Sequence, residues 1–250
     1  MLKIILSGCS GKMGRVITDI VANDPECEIV AGVDPYTASN TDYPVYTSFE
    51  NLPTADVIID FSNPAALDGM LEFANKFNMP TVICTTGYND TQIEKINAAA
   101  KNIPIFFSFN MSLGINLLVS LAKKATAILG DDYDIEIIEK HHNQKIDAPS
   151  GTAIMLANAI NETMDGKMIY EYDRHSKREK RSKNEIGIHS VRGGTIVGEH
   201  EVIFAGDNEV VSLTHQAFSK NVFAFGAVKA AKFLKGKTAG IYDMNGLISQ

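Results

Sequence analysis

From Leu2 to Phe107 the chain alternates short apolar runs with stretches of helical periodicity, and a glycine-rich turn joins the first pair. This alternation limits the possible folds more than any other feature. Strands that are apolar on both faces must be covered on both faces, and parallel strands with crossover helices do this. Strands are predicted at Leu2–Leu6, Glu28–Val33, Asp56–Asp60, Thr81–Thr85 and Ile103–Phe107, and helices at Met13–Ala22, Leu67–Phe77 and Asp90–Lys101. Asn63-Pro64 marks a helix start with its proline early. The expected class is α/β, with a doubly wound parallel sheet at the N-terminus.

After Asn110 the pattern changes. Leu113–Leu129 predicts a long apolar helix, Ile135–Glu139 a strand leading to His141, and Ala153–Ile160 a further helix. Three strand-like runs then follow closely, at Gly187–Val191, Glu199–Ala205 and Glu209–Thr214. Close strands without intervening helices predict a mixed or antiparallel sheet in an α+β domain. Val222–Leu234 is helical again. The expected division is a dinucleotide-binding domain over residues 1–111, completed by 223–250, and a second domain over 112–222.

Gly8-Cys9-Ser10-Gly11-Lys12-Met13-Gly14 lies between the first strand and the first helix. Its GxxGxxG spacing is a variant of the Rossmann fingerprint, in which glycines permit a sharp turn and let a pyrophosphate approach backbone N–H groups. Lys12 is followed by Met13 rather than Ser or Thr, so this is not a nucleotide-triphosphate loop of the Walker A type. Asp34 ends the second strand, twenty residues beyond Gly14, where a carboxylate accepts hydrogen bonds from ribose hydroxyls. Asp34 would repel a 2′-phosphate, Pro35 and Tyr36 offer no cation, and Lys12 offsets this only if it reaches across the loop. NADH is therefore expected to serve at least as well as NADPH. An ordinary tight turn is the plain alternative for the glycines. Cys84-Thr85-Thr86 and Ser108-Phe109-Asn110-Met111 follow the fourth and fifth strands, at the carboxyl ends where such sheets place ligands. They are candidates for the nicotinamide side, or plain loops.

The densest chemistry lies between His141 and Thr152: His-His-Asn-Gln-Lys-Ile-Asp-Ala-Pro-Ser-Gly-Thr. A Pro-Ser-Gly-Thr turn that opens a helix, beside Lys145, is an anion site. Two histidines next to it suggest proton transfer onto an acidic substrate, although solvated imidazoles at a polar strand end are the bland alternative. Asp147 and Pro149 are expected to shape the turn. Arg192, with Gly193 and Gly194, either supports the site from a neighbouring strand or simply forms a hairpin. The basic run Lys177–Lys183 is expected to be a solvated loop.

A net charge of −7 in 250 residues argues against a nucleic-acid or anionic-membrane surface. The three cysteines form no CxxC pair, which suggests a reducing compartment. The six histidines show no HxH, HxxH or HExxH spacing, so no metal site is expected. The N-terminal apolar run is too short for a signal peptide, and no apolar run is expected to reach the ~20 residues of a membrane span. A cytoplasmic protein is expected.

Together, Gly8-x-x-Gly-Lys-Met-Gly14, Asp60-Phe-Ser, Thr85-Thr-Gly87, Glu139-Lys-His-His142, Lys145-x-Asp-Ala-Pro-Ser-Gly-Thr152, Val191-Arg-Gly-Gly194, Val197-Gly-Glu-His200 and Phe223-Ala-x-Gly-Ala227 resemble the 4-hydroxy-tetrahydrodipicolinate reductase family of bacterial lysine and diaminopimelate synthesis, formerly called dihydrodipicolinate reductases. The resemblance covers nearly the whole chain. It implies NAD(P)H-dependent reduction of a cyclic dicarboxylate to tetrahydrodipicolinate, and a homotetramer built through the second domain's sheet. By matched position it implies His141 as general acid, His142 and Lys145 at the substrate, and Ser150, Gly151 and Thr152 around a carboxylate. Gly8 to Met13, Asp34, Cys84 to Thr86 and Ser108 to Met111 are implied at the cofactor. Cys84 stands where the family usually has glycine, and Lys220 where it usually has arginine, which loses the guanidinium fork. Another small-metabolite dehydrogenase of the same fold and a non-catalytic NAD-binding protein are the competing readings.

Overall fold

A computed structural model describes residues 1–36 and 41–249. They form two compact units, one of Met1–Leu113 with Asn221–Gln250 and one of Gly114–Lys220.

The first unit contains strands β1 (Leu2–Ser7), β2 (Cys27–Val33), β3 (Val45–Tyr46), β4 (Val57–Asp60), β5 (Thr81–Ile83) and β6 (Pro104–Phe107), with helices α1 (Lys12–Ala22), α2 (Leu67–Phe77) and α3 (Asp90–Ala99) between them. After the second unit the chain returns as α6 (Asn221–Leu234), β12 (Gly240–Tyr242) and α7 (Met244–Ile248). The seven strands pair in parallel in the order β12-β6-β5-β4-β1-β2-β3. This is the doubly wound order, reversing beside β1, and it bears out the expected fold class. Ile4, Ile5 and Leu6 on β1 and Ile58 and Ile59 on β4 are fully buried, as two-sided coverage requires. One face packs Leu6, Ile59 and Phe106 against Ile17 of α1 and Ala227 and Ala231 of α6. The other packs Ile5, Ile58 and Ile105 against Met70 of α2 and Ile96 of α3. The Asn63 side chain caps a single 3-10 turn at Pro64–Ala66, so α2 proper begins at Leu67.

The second unit contains α4 (Leu113–Leu129, all but its first residue), β7 (Asp134–His141), α5 (Gly151–Thr163), β8 (Ile169–Glu171), β9 (Glu185–Arg192), β10 (Gly198–Ala205) and β11 (Val210–Ala217). Its five-stranded sheet runs β11-β10-β7-β9-β8 and is mixed: β10 is antiparallel to β7 and β11, and β9 is parallel to β7 and β8. One side chain in two from β7 and β10 points inward, and Ile135, Ile137, Val202 and Phe204 pack on Leu118 and Ala122 of α4 and Leu156 and Ile160 of α5.

Three readings change. With the turn that follows it, α4 spans the 20 residues Leu113–Asp132, and an 18-residue window within them has a mean hydropathy of 1.3, so by length and composition one helix is long and apolar enough to cross a membrane, contrary to expectation. Its Leu118 and Ala122 pack in the core of the second unit. The strands β3, β8 and β12 have two or three residues each, too few to show a period. The basic run is more than a solvated loop. Arg181 lies across β7 and β9, with Nη1 2.7 Å from Asp134, Nε 3.0 Å from Glu136, and Nη2 donating to the carbonyls of Ile135 and Glu185. Lys177 pairs with Glu171. These cations balance acids that the sheet brings together, a need that becomes visible only once the strands are paired.

Candidate active site

In the first unit the turn after β1 is shaped by the absence of side chains. Gly8 has a φ of +78°, and a Cβ there would lie 2.3 Å from the Phe61 carbonyl oxygen. A Cβ on Gly14 would lie 2.3 Å from the Gly8 carbonyl oxygen, so α1 could not start where it does. Gly11 is the helix N-cap, and the first-turn N–H groups that follow have no carbonyl within the helix. Asp34 is buried beside this turn. Its Oδ2 accepts the Ser10 N–H at 3.0 Å and its Oδ1 the Tyr36 N–H at 3.0 Å. Each oxygen keeps acceptor capacity for a ribose hydroxyl.

A cavity of about 910 Å³ opens here and brings together Gly8, Cys9, Ser10, Gly11 and Asp34. Its volume suits a nucleotide-sized ligand. Arg15, Tyr36 and Asn63 also line it. Arg15 was not singled out in the sequence, although its place one turn into α1 beside the loop was a usable signal. Lys12 and Met13 are not on this lining; Lys12 is exposed. Nor are Cys84–Thr86 and Ser108–Met111, which follow β5 and β6 at the same edge of the sheet. The side chains of Cys9, Cys84 and Met111 belong to the core, so those positions can offer a ligand only backbone. Thr85 is buried, and its hydroxyl accepts the Ser62 N–H at 2.9 Å. Thr86 and Phe109 are exposed, and the Ser108 hydroxyl donates to the Asn110 carbonyl at 3.0 Å.

In the second unit the site follows from strand register. Glu139 and His141 are two apart on β7 and share a face. Parallel pairing places Arg192 of β9 beside His141, and antiparallel pairing places His200 of β10 opposite Glu139. Glu139 is completely buried. Its Oε2 lies 2.6 Å from His141 Nδ1, its Oε1 accepts the Ser150 N–H at 3.1 Å, and Arg192 reaches both oxygens, at 2.8 and 2.6 Å. Burial pushes this carboxyl upward, but hydrogen bonds from Arg192, Ser190, His141 and Ser150 outweigh it and hold the pKa at about 2. Burial lowers the pKa of His141, and Glu139 opposes the shift. His141 Nε2 faces Gly198, where a Cβ would be only 3.2 Å away.

Ser150 caps α5, its hydroxyl accepting the Ala153 N–H at 3.2 Å and contacting His200 Nε2 at 3.0 Å. Its own N–H is taken by Glu139, which removes it from the expected set of carboxylate donors. Gly151 faces open space, with nothing within 4 Å of a built Cβ, and Thr152 follows in the first turn. Lys145 Nζ lies 2.8 Å from Asp147, and His142 is partly exposed on the same loop. Of the alternatives for Arg192, the structure supports the role of site support, and it also ties down the Asp147 carbonyl at 2.6 Å. Glu139 and His200 were missed as site residues; the i, i+2 pair Glu139-x-His141 was the available signal.

Both parts of the chain match models of one family. Residues 2–111 match the model "Dihydrodipicolinate reductase, N-terminus", and residues 114–248 match "Dihydrodipicolinate reductase, C-terminus". A 4-hydroxy-tetrahydrodipicolinate reductase of Caldanaerobacter subterraneus subsp. tengcongensis is 51% identical over 100% of this chain and 99% of its own length. One from Clostridium novyi is 50% identical over 99% and 98%. The dipicolinate-bound dihydrodipicolinate reductase of Paenisporosarcina sp. TG-14 superposes with a TM-score of 0.83 at 26% identity, covering 98% of this chain and 99% of that one.

Proposed function

The chain belongs to the dihydrodipicolinate reductase family and is an oxidoreductase of diaminopimelate and lysine biosynthesis, and from that premise we propose which of its residues do the work. In the reaction, 4-hydroxy-tetrahydrodipicolinate loses water, gains a hydride at ring C4 and a proton, and becomes tetrahydrodipicolinate. The pyridine nucleotide supplies the hydride when bound.

The glycine turn, the cavity and the spare acceptor capacity of Asp34 fit a dinucleotide. Gly8 to Gly11 would hold its pyrophosphate, Asp34 its adenosine ribose, and the loops after β5 and β6 its nicotinamide end. Asp34 favours NADH. Arg15 in the same cavity supplies a cation that a 2′-phosphate can use, so NADPH is accepted as well. A tenfold or larger preference for NADPH in steady-state kinetics would contradict the assignment to Asp34.

The substrate is a cyclic dicarboxylate. Gly151 and Thr152 at the start of α5 would hold one carboxylate, with Lys145 and His142 adding charge and hydrogen bonds. His141 delivers the proton from Nε2. Two arriving carboxylates raise its proton affinity, offsetting the lowering by burial. The observation that carries this reading is the 2.6 Å contact of His141 Nδ1 with Glu139, which leaves Nε2 for the substrate. The test is loss of absorbance at 340 nm from NADH and NADPH with substrate generated in situ. Cofactor binding without turnover would favour a non-catalytic NAD-binding protein instead.

We place the enzyme in the cytoplasm, consistent with three unpaired, buried cysteines. We also propose a homotetramer formed through the uncovered face of the second unit's sheet. Its side chains there, among them Ile138 and Ile203, alternate with the buried set and are only partly covered. Light scattering should give four times the 27.2 kDa chain mass; a monomer would contradict it.

A further inference from the structure

Glu139 exchanges no proton in the reaction described above, yet it is the most enclosed charged side chain of the second unit. Both of its oxygens are occupied. Arg192 grips them with the two arms of its guanidinium, a geometry that fixes the carboxylate in plane as well as in place. The gripped carboxylate then meets two groups of the candidate site: the ring of His141 through Nδ1 and the backbone N–H of Ser150, where the anion-holding turn begins.

We propose that Glu139 and Arg192 are positioning residues for proton delivery: the clamped carboxylate keeps a hydrogen on His141 Nδ1, reserves Nε2 for exchange with the substrate, and holds the proton donor and the carboxylate turn in one rigid unit. The proposal rests on the reading of His141 as proton donor. Before transfer His141 carries both hydrogens. The Nε2 proton goes to the substrate ring, the other hydrogen stays on Nδ1, donated to the Glu139 carboxylate, and His141 is left neutral until solvent returns a proton to Nε2. Glu139 stays ionised throughout, because Arg192 neutralises it.

The groups around His141 make the role separable. Glu139 faces it from its own strand, Arg192 from β9, His200 from β10 with ring centroids 5.2 Å apart, and Lys145 from the loop, where it pairs with Asp147; Ser150, at the cap of α5, meets Glu139 and His200. His215 on β11 stands one strand further, opposite His200. Lys145 and Arg192 oppose protonation of His141, whereas Glu139 favours it. Removing the charge of Glu139 while keeping its shape therefore has a definite direction.

The experiment compares the full-length enzyme with Glu139→Gln and Arg192→Lys, using His141→Gln to assign the histidine signal. Carbon- and nitrogen-detected NMR should show His141 as the Nδ1–H tautomer in the parent. Glu139→Gln should lower the His141 midpoint by about one pH unit or more. Its kcat should fall ~10²-fold with KM for substrate changed less than about threefold, and the kcat profile should move by the same pH interval as the midpoint. Arg192→Lys keeps the charge but loses the fork. It should show a mixture of tautomers and a roughly tenfold lower kcat, and it carries the test if Glu139→Gln does not fold. An unchanged tautomer and midpoint, with kcat within twofold of the parent, in whichever of these variants fold would overturn the proposal. If the tautomer and midpoint move as expected but His141→Gln keeps full turnover, the proton-donor reading fails, and with it the catalytic part of the proposal.

Discussion

The candidate cofactor site of the first unit and the candidate substrate site of the second are built from different material. The first uses backbone: a turn of consecutive residues whose glycines make room, a helix start, and one carboxylate that is itself held by the N–H groups of Ser10 and Tyr36. The second uses side chains from four places: Glu139 and His141 on β7, Arg192 on β9, His200 on β10 and Ser150 at the cap of α5. A backbone cradle is a property of the fold and tolerates many side chains at its rim. A side-chain network depends on every member, because a buried group that loses its partner carries the full cost of its desolvation.

The contrast predicts separable damage, and the largest effect belongs to the network. His141→Gln should lower kcat by ~10²-fold or more with little change in KM and none in cofactor affinity, measured by fluorescence titration. A variant with near-parental turnover would remove the acid assignment.

Next in size is a pH effect confined to the second unit. Burial first, and then the neighbouring His141, holds the pKa of His200 at about 4, against 6.5 for the free group. Its folded pKa is depressed, so the unfolded chain takes up the proton first. Stability should fall as pH drops from 6.5 towards 4, by up to about 3 kcal/mol. Glu139, held at about 2, loses its contribution in a lower window, from 4.5 downward. Urea unfolding at pH 7, 5.5 and 4.5 should show the first slope, and His200→Gln should flatten it. Equal slopes in the two proteins would assign the effect elsewhere.

Smaller again, Lys145→Ala should cost roughly tenfold in both kcat and KM, since its charge serves binding and the transition state alike. Unchanged kinetics would return Lys145 to its partner Asp147 as a surface ion pair. Asp34→Ala probes the first unit instead. It should raise KM for NADH by about tenfold, raise KM for NADPH by less, and leave substrate affinity alone. Equal loss with both cofactors would mean that Asp34 only shapes the turn.

The same difference decides what the sequence revealed. The glycine turn and Asp34 were legible because each makes its point locally, next to an apolar strand. His141, Lys145 and the Ser150 turn were legible because they fall in one short segment. Glu139, Arg192 and His200 act together only through register, with Arg192 reaching Glu139 across 53 positions. No spacing rule finds a partner at that distance without the strand pairing. Strand register also brought Asp134, Glu136 and Glu185 together, which is why Arg181 looked like part of a plain basic loop. The engagement of the Ser150 N–H was hidden for a related reason: the turn announces an anion site, and the buried carboxylate that occupies one of its donors comes from another element.

The proposed reaction passes hydride directly from a nucleotide on the glycine turn to a dicarboxylate beside His141. A crystal structure with a nicotinamide cofactor and pyridine-2,6-dicarboxylate bound together should show the nicotinamide C4 within about 3.5 Å of the ring, His141 Nε2 turned towards the dicarboxylate, and one carboxylate on Gly151 and Thr152. Well-ordered ligands in separate places, with the dicarboxylate away from His141, would contradict it.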